Sequence, residues 1–308
     1  MWSPRTVGPD AVPDPPQLLA AGSVALDTRV GPFGKVEEAL GGAAVYFALA
    51  ASLIVPVEVV APVGIDGAKQ LAQAFSGRHI DTDMLEILKA PTYRWHARQK
   101  HGGHNIEHGR SDNIYDSWSP TLPAGFGGWA FVGSMRPDRQ AQLMAMLSGV
   151  ALLAADAMLS YVQDRPPEAR DVLRRAAWYF CNDEEFAAIG GKDPDEFRRQ
   201  WWLQGLVIKS GKLGVAAYTE YGVVRVPALV GREVVDTTGA GDALAGGMLA
   251  RWMSTGGTPL GLQDALVWGV ACASITISAI GVKGLARATR KELDERVIEV
   301  EECLRRAS

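Results

Sequence analysis

The sequence predicts an α/β protein: a mostly parallel β-sheet with helices on both faces. Three observations carry that expectation. Short apolar runs alternate with longer helical patterns through most of the 308 residues. The composition, 47% hydrophobic and 21% charged, allows a large core and excludes a disordered or collagen-like chain. Finally, the stretch Val234-Val-Asp-Thr-Thr-Gly-Ala-Gly-Asp242 leads from an apolar strand end through a glycine turn into a helix of small residues.

In chain order, residues 1–16 hold Pro4, Pro9, Pro13, Pro15 and Pro16 and no apolar h-region, so they read as a flexible leader, with one domain from 17 to 308. Strands are expected near Leu18–Val24, Val57–Pro62, Trp129–Val132, Val150–Ala155, Ala177–Cys181 and Leu206–Lys209, because these runs are apolar and of strand length. Helices are expected near Gly42–Ile54, Gly67–Phe75, Pro137–Leu147, Pro167–Arg175, Pro194–Gln204 and Ala243–Trp252. The eighteen uncharged residues Ala265–Val282 reach the minimum length of a membrane span, but Gly269, Cys272, Ser274, Thr276, Ser278 and Gly281 interrupt them, and a buried core helix is expected.

Two segments break the alternation, Ala25–Leu40 and Asp83–Pro120. In Thr92–Lys100, Tyr93, Trp95 and Ala97 fall on one side and Arg94, His96, Arg98 and Lys100 on the other, the pattern of a half-buried strand with a basic face. A small β-lid from Ala25–Val36 and Asp83–Asn113 is expected over the carboxyl ends of the parallel strands, where ligands bind in open α/β sheets. Its uncovered edge invites pairing across a homodimer.

The glycine turn carries chemistry. Gly239, Ala240 and Gly241 can aim backbone N–H groups at one spot, and the helix N-terminus adds partial positive charge, so the turn forms an anion hole. Asp242, on the same first turn, is placed to accept a proton from a hydroxyl. Anion hole plus base is what phosphoryl transfer to an alcohol requires. The alternative is a helix cap whose glycines only permit tight packing. A Walker A loop is absent, and a dinucleotide fingerprint fails because Leu244 stands where its third glycine belongs.

These residues resemble the C-terminal signature of the PfkB/ribokinase family of carbohydrate and nucleoside kinases. The resemblance extends over residues 17–305: Gly22-Ser-Val-Ala-Leu-Asp27, Gly41-Gly42-Ala-Ala-Val-Tyr46-Phe-Ala48, Val63-Gly-Ile-Asp66, Asn182-Asp-Glu-Glu185 and Ile208-Lys-Ser-Gly211-Lys-Leu-Gly214 are similar to family motifs, in family order. It implies a ribokinase-like fold and an ATP- and Mg²⁺-dependent kinase that phosphorylates a CH₂OH group of a sugar, with a nucleoside as the alternative acceptor. A non-catalytic ligand-binding or regulatory protein of the same fold is a more distant reading.

By that resemblance Asp242 is the base, Asp27 binds sugar hydroxyls, and Gly41 and Gly42 let the substrate approach; Asp27 as a turn cap is the other reading. Glu185, beside Asn182, holds waters of Mg²⁺, or is a solvated surface carboxylate. Lys209, Gly211 and Gly214 border the nucleotide, or form a plain hairpin. Asp156 ends a strand and either faces the substrate or caps. Asp236 helps hold a monovalent cation such as K⁺, or bonds its own turn. Tyr46 stands where ribokinase-like members carry Asn; Tyr46, Tyr93, Arg94 and Trp95 either stack on a base or fill space under a sugar.

Other signals exclude partners. Thirty-one Lys plus Arg against 35 Asp plus Glu, a formal charge of −4 and no basic block make nucleic acid an unexpected partner. Three scattered cysteines fit a reducing, cytoplasmic setting. His101, His104 and His108 suggest zinc only weakly, since Gly102 and Gly103 oppose a helix that would align the first two. The tryptophans, Trp201 and Trp202 included, are expected to pack in the core or lid.

Overall fold

The computed structural model describes residues 17–99 and 105–307; the 1–16 leader, His101 and His104 lie outside the described residues. The strands are β1 (Leu18–Ala21), β2 (Ala25–Gly31), β3 (Gly34–Gly41), β4 (Val57–Gly64), β5 (Ile80–Asp81), β6 (Leu85–Leu88), β7 (Tyr93–Gln99), β8 (Asn105–Ser111), β9 (Trp129–Val132), β10 (Leu152–Asp156), β11 (Trp178–Asn182), β12 (Gly205–Lys209), β13 (Val215–Thr219) and β14 (Gly222–Val226). The helices are α1 (Ala43–Ala51), α2 (Ile65–Phe75), α3 (Pro137–Met146), α4 (Leu159–Asp164), α5 (Pro166–Arg175), α6 (Asp183–Ala188), α7 (Pro194–Gln200), α8 (Ala240–Ser254), α9 (Leu262–Thr276), α10 (Lys283–Arg287) and α11 (Arg290–Ala307).

The main sheet runs β14-β13-β12-β11-β10-β9-β1-β4-β5, with β6 beside β4. From β12 to β5 every pairing is parallel, and the hairpin β13–β14 closes one edge antiparallel. All six strands expected from apolar runs are central members, as strands buried on both faces should be. The parallel register sets Asp156 beside Phe180 and Asn182 beside Lys209, so the ends of β10, β11 and β12 deliver these polar residues to one edge.

Helices cover both faces. On one, α1, α8 and α9 pack with Phe47 stacked on Phe131 at 4.3 Å. On the other, Leu143, Val172, Phe186 and Phe197 of α3, α5, α6 and α7 bury their side chains. The pair Gly246-Gly247 serves this packing: a methyl on Gly246 would meet the Phe47 carbonyl at 2.5 Å, and one on Gly247 the Cys272 sulfur at 2.6 Å. Residues 265–276 of the uncharged stretch lie in the buried helix α9, while 277–282, expected to continue it, form the turn that follows, and among the described residues no helix is long and apolar enough to cross a membrane.

The second sheet, β3-β2-β7-β8, extends the chain from β1 beyond the carboxyl edge. On β7, Tyr93, Ala97 and Gln99 are buried while His96 and Arg98 are exposed, the expected two-sided strand. Its membership differs from the expected segments. The hairpin continues past Val36 to Gly41, while Leu85–Leu88 pairs in parallel with β4 of the main sheet. Trp202 also departs from expectation: it ends the turn after α7 at φ 57° and is 91% exposed, whereas Trp118, Trp178 and Trp252 are buried.

Candidate active site

The glycine turn is built as a helix start. Gly239 adopts φ 75°, a left-handed conformation that glycine enters without a side-chain clash, and a methyl there would overlap the ring of Tyr46. The Ala240 N–H donates to the Thr237 carbonyl at 3.3 Å. Gly241 and Asp242 lie in the first turn of α8, whose N–H groups have no carbonyl four residues back to bond within the helix. Their dipoles and the α8 N-terminus favour an anion at this point.

Around the turn stands a cluster of three carboxylates and one ammonium. Lys209 Nζ bonds Asp156 Oδ2 at 2.6 Å and lies where a methyl on Gly241 would approach it to 2.8 Å, so a cation borders the anion hole directly. Burial opposes the Lys209 charge, but Asp156, Glu185 and Asp242 outweigh it and hold the ammonium above its ordinary range. One ammonium does not balance three carboxylates. Burial, and then the charge of Asp156, push Asp242 up to about 8 against the pull of Lys209, with Glu185 adding to the rise. Glu185 is pushed up to about 7, by burial first, with Lys209 pulling it down and Asp156 pushing it up. Asp156, expected with the acceptor-binding residues, is ion-paired inside this cluster, because β10 and β12 flank β11 and end at the same edge.

Asn182 and Glu185 form a reciprocal cap on α6: Asn182 Oδ1 accepts the Glu185 N–H at 2.9 Å and Glu185 Oε2 accepts the Asn182 N–H at 2.8 Å. The cap, with a further N–H bond from Leu159, fixes the Glu185 carboxylate toward the cluster. Gly211 and Gly214 turn the β12–β13 hairpin with φ 52° and 100°, and the space beside Gly211 is open.

A second cluster lies under the turn. Asp27 is 2% exposed, and Gly41 is a close-approach position, since a methyl there would overlap the Asp27 carboxylate. Burial raises Asp27 to about 7, with Arg29 pulling it down and Asp236 pushing it up. Asp236 is fully committed: its Oδ2 accepts from Arg29 Nη1 and from the Gly281 N–H at 2.8 Å, and its Oδ1 from the Thr238 N–H at 3.1 Å. The monovalent cation expected at Asp236 does not fit these residues, because a guanidinium already holds the carboxylate.

Two expected acceptor-binding residues are placed elsewhere. Tyr46 is 1% exposed beneath Gly239, so its ring has no face free for a base. Arg94 is spent on the chain itself, with Nη2 on Asp66 at 2.8 Å and on Glu38 at 3.0 Å, and Nη1 on the Thr92 carbonyl at 3.0 Å. Its bonds, with two from Thr92, lower Asp66 to about 2 despite partial burial. Asp66 thus anchors β7 to the start of α2. Trp95 remains half-buried, in register with Asp27 on the neighbouring strand, so both side chains share one face of the small sheet.

Sequence reasoning missed the residues that join that sheet to the turn. Gln99 Oε1 accepts the Thr237 N–H at 3.3 Å, Asn105 Nδ2 donates to Thr238 Oγ1 at 3.2 Å, and Glu107 accepts from Ser160 Oγ at 2.7 Å and Trp95 Nε1 at 3.0 Å. Asn105 and Glu107 sit within the stretch read for zinc. His108 is an exposed residue of β8, and the described residues hold no group of three or more His, Cys, Asp or Glu suited to a metal.

With this geometry in hand, comparison with known proteins is decisive. The sequence model described as pfkB family carbohydrate kinase matches residues 24–288. The chain belongs to the pfkB family. Among curated proteins, this pfkB-family chain is similar to a cytidine kinase of Thermococcus kodakarensis, 29% identical over 247 residues, or 76% of this chain and 87% of that one. Among solved structures it resembles a Burkholderia thailandensis nucleoside kinase in complex with inosine, with TM-score 0.78, 20% identity and coverage of 91% and 96% of the two chains. It also resembles a Vibrio cholerae fructokinase mutant bound to fructose, ADP and potassium, with TM-score 0.75, 17% identity and coverage of 92% and 98%. The fold is ribokinase-like, and the pfkB-family chain is an ATP-dependent phosphotransferase with an alcohol as acceptor.

Proposed function

We propose that the protein transfers the γ-phosphate of ATP to the CH₂OH group of a nucleoside's ribose, with Asp242 as the base. One observation carries the chemistry: a raised carboxylate, a lysine ammonium and the N-terminus of α8 converge on the glycine turn. In its ionised form, reached as pH rises toward about 8, Asp242 accepts a proton from an alcohol whose oxygen is forming a bond to phosphorus. In the proposed step the acceptor O–H proton passes to Asp242, the oxygen bonds the γ-phosphorus, and ADP departs. Lys209 and the N–H of Gly241 face the charge on the transferred group.

The donor set fits Mg²⁺ held through water. Three buried carboxylates share one ammonium, and Glu185, fixed by backbone N–H bonds, would hold the hydrated ion beside the phosphates. Bound there with the nucleotide, the ion would neutralise phosphate charge. Asp27 and Gly41 orient the acceptor hydroxyls, and the small sheet excludes water.

Trp95 favours a nucleoside over the free sugar expected from sequence. It sets a half-buried aromatic beside Asp27, and the cytidine kinase and nucleoside kinase relatives support the same reading. A panel of nucleosides and sugars assayed for ATP-dependent ADP release tests it. The expected result is a nucleoside turned over at least about ten-fold more efficiently than ribose or fructose, with the preference reduced about ten-fold by Trp95→Ala. Turnover of a free sugar alone would restore the sugar reading, which the fructokinase likeness supports.

A further inference from the structure

Arg29 is a fully buried arginine. It is 0% exposed, lies on β2 two residues beyond Asp27, and crosses from the small sheet to the start of the glycine turn, where Nη1 bonds Asp236. Among the described residues its Nε and Nη2 find no hydrogen-bond partner. Burying a guanidinium with unpaired donors costs stability, and well-packed apolar residues of similar volume commonly do as well or better. The group is therefore explained by what it holds.

It holds two loops. Asp236 opens the stretch that becomes the anion hole, and its carboxylate also receives the Thr238 N–H from that stretch and the Gly281 N–H from the loop after α9. The same loops meet through Val235 and Asp236, whose N–H groups donate to the Ile277 carbonyl at 2.8 and 3.3 Å. A methyl on Gly281, at φ 60°, would come to 3.3 Å from Arg29 Nη2, so the guanidinium is wedged between the loops. A metal cation drawn to Asp236 would meet a fixed positive charge within ion-pair distance and no free carboxylate oxygen lone pair on the Arg29 side.

We infer that Arg29 is a built-in cation, a positioning residue that fixes the 235–238 loop and hence the anion hole without a monovalent metal ion. The protein's turnover therefore does not depend on K⁺. This rests on the kinase reading for its activity assay, and melting temperature supplies an independent readout.

The test uses the full chain in K⁺, Na⁺ or tetramethylammonium chloride at equal ionic strength. Wild-type turnover is expected to agree within about two-fold across the three salts, with equal melting temperatures. Arg29→Ala in tetramethylammonium is expected to lose about ten-fold or more in kcat, and to regain part of it with K⁺ or with millimolar guanidinium, which also raise its melting temperature. Arg29→Lys, which keeps the charge, stays insensitive to the salt and serves where Arg29→Ala fails to fold. Stimulation of the wild type by K⁺ of about ten-fold over tetramethylammonium would overturn the inference, as would full turnover of Arg29→Ala in tetramethylammonium or a K⁺ requirement in Arg29→Lys. If no acceptor is phosphorylated at all, the kinase reading fails by itself, and a K⁺-dependent rise in melting temperature for Arg29→Ala but not for the wild type still decides the role of Arg29.

Discussion

The two buried charge clusters at the glycine turn use the same chemistry in opposite ways. Below the turn, Asp236 meets Arg29 with both side chains fully buried, and two backbone N–H groups complete the carboxylate's shell. At the turn itself, Asp156, Glu185 and Asp242 share only Lys209, and all three acids are raised by burial, Glu185 up to about 7 and Asp242 up to about 8. The Arg29–Asp236 pair, one cation on one carboxylate, fixes geometry, with Asp27 beside it raised by burial. The Lys209 cluster, three acids on one ammonium, is undercompensated and, on the proposed function, takes up protons or cationic charge. Rigidity and reactivity are thus separated across a single loop, residues 235–242.

The largest effect expected from breaking this contrast comes from Asp242→Asn, which removes the proposed base while keeping its shape. Turnover should fall at least about a hundred-fold, while ATP affinity, measured by calorimetry, changes little. Near-normal turnover would take the base elsewhere. Lys209→Met is expected to be the most damaging to stability, about 3–5 kcal/mol by chemical denaturation at neutral pH, because it leaves Asp156 buried without its partner. Adding Asp156→Asn should recover most of that loss, and failure to do so would mean that the pair is not the source.

The same contrast sets a pH dependence. Asp242 and Glu185 keep protons in the folded chain to about pH 8 and about pH 7, whereas the unfolded chain releases them near 4. The folded state therefore binds more protons between those limits, and stability present at low pH is lost as pH rises through the window. Ligand-free protein should melt lower at pH 8 than at pH 5, and Asp242→Asn should show a smaller decline. An equal decline in the two proteins would remove Asp242 as its cause. The smallest effect expected is on the small sheet: because Gln99 and Asn105 already bond the turn, an acceptor should add only modest hydrogen-exchange protection to β7 and β8 beyond that given by ATP. Protection by ATP alone equal to that with acceptor would separate this sheet from acceptor binding.

What the sequence made legible follows the range of each interaction. The buried parallel strands, the glycine turn with Asp242, and the Asn182–Glu185 pair are local patterns, and their spacing survives in the fold. Asp27 was readable because its strand and the Gly41 turn belong to one hairpin. Arg29 and Asp236 lie 207 residues apart, and Asp156 and Lys209 lie 53 apart, so only the order of strands in the sheet reveals either pair. Tyr46 carried two readings, stacking on a base or filling space, and its buried ring fills the space that the glycine at 239 leaves. The strands β13 and β14 were missed because they are short and carry half-buried or polar positions.

The most direct test of the central claim is a carboxyl-carbon NMR titration of the ligand-free protein, labelled at aspartate and assigned with Asp242→Asn. The account predicts that Asp242 titrates near pH 8. A midpoint near 4 would contradict it.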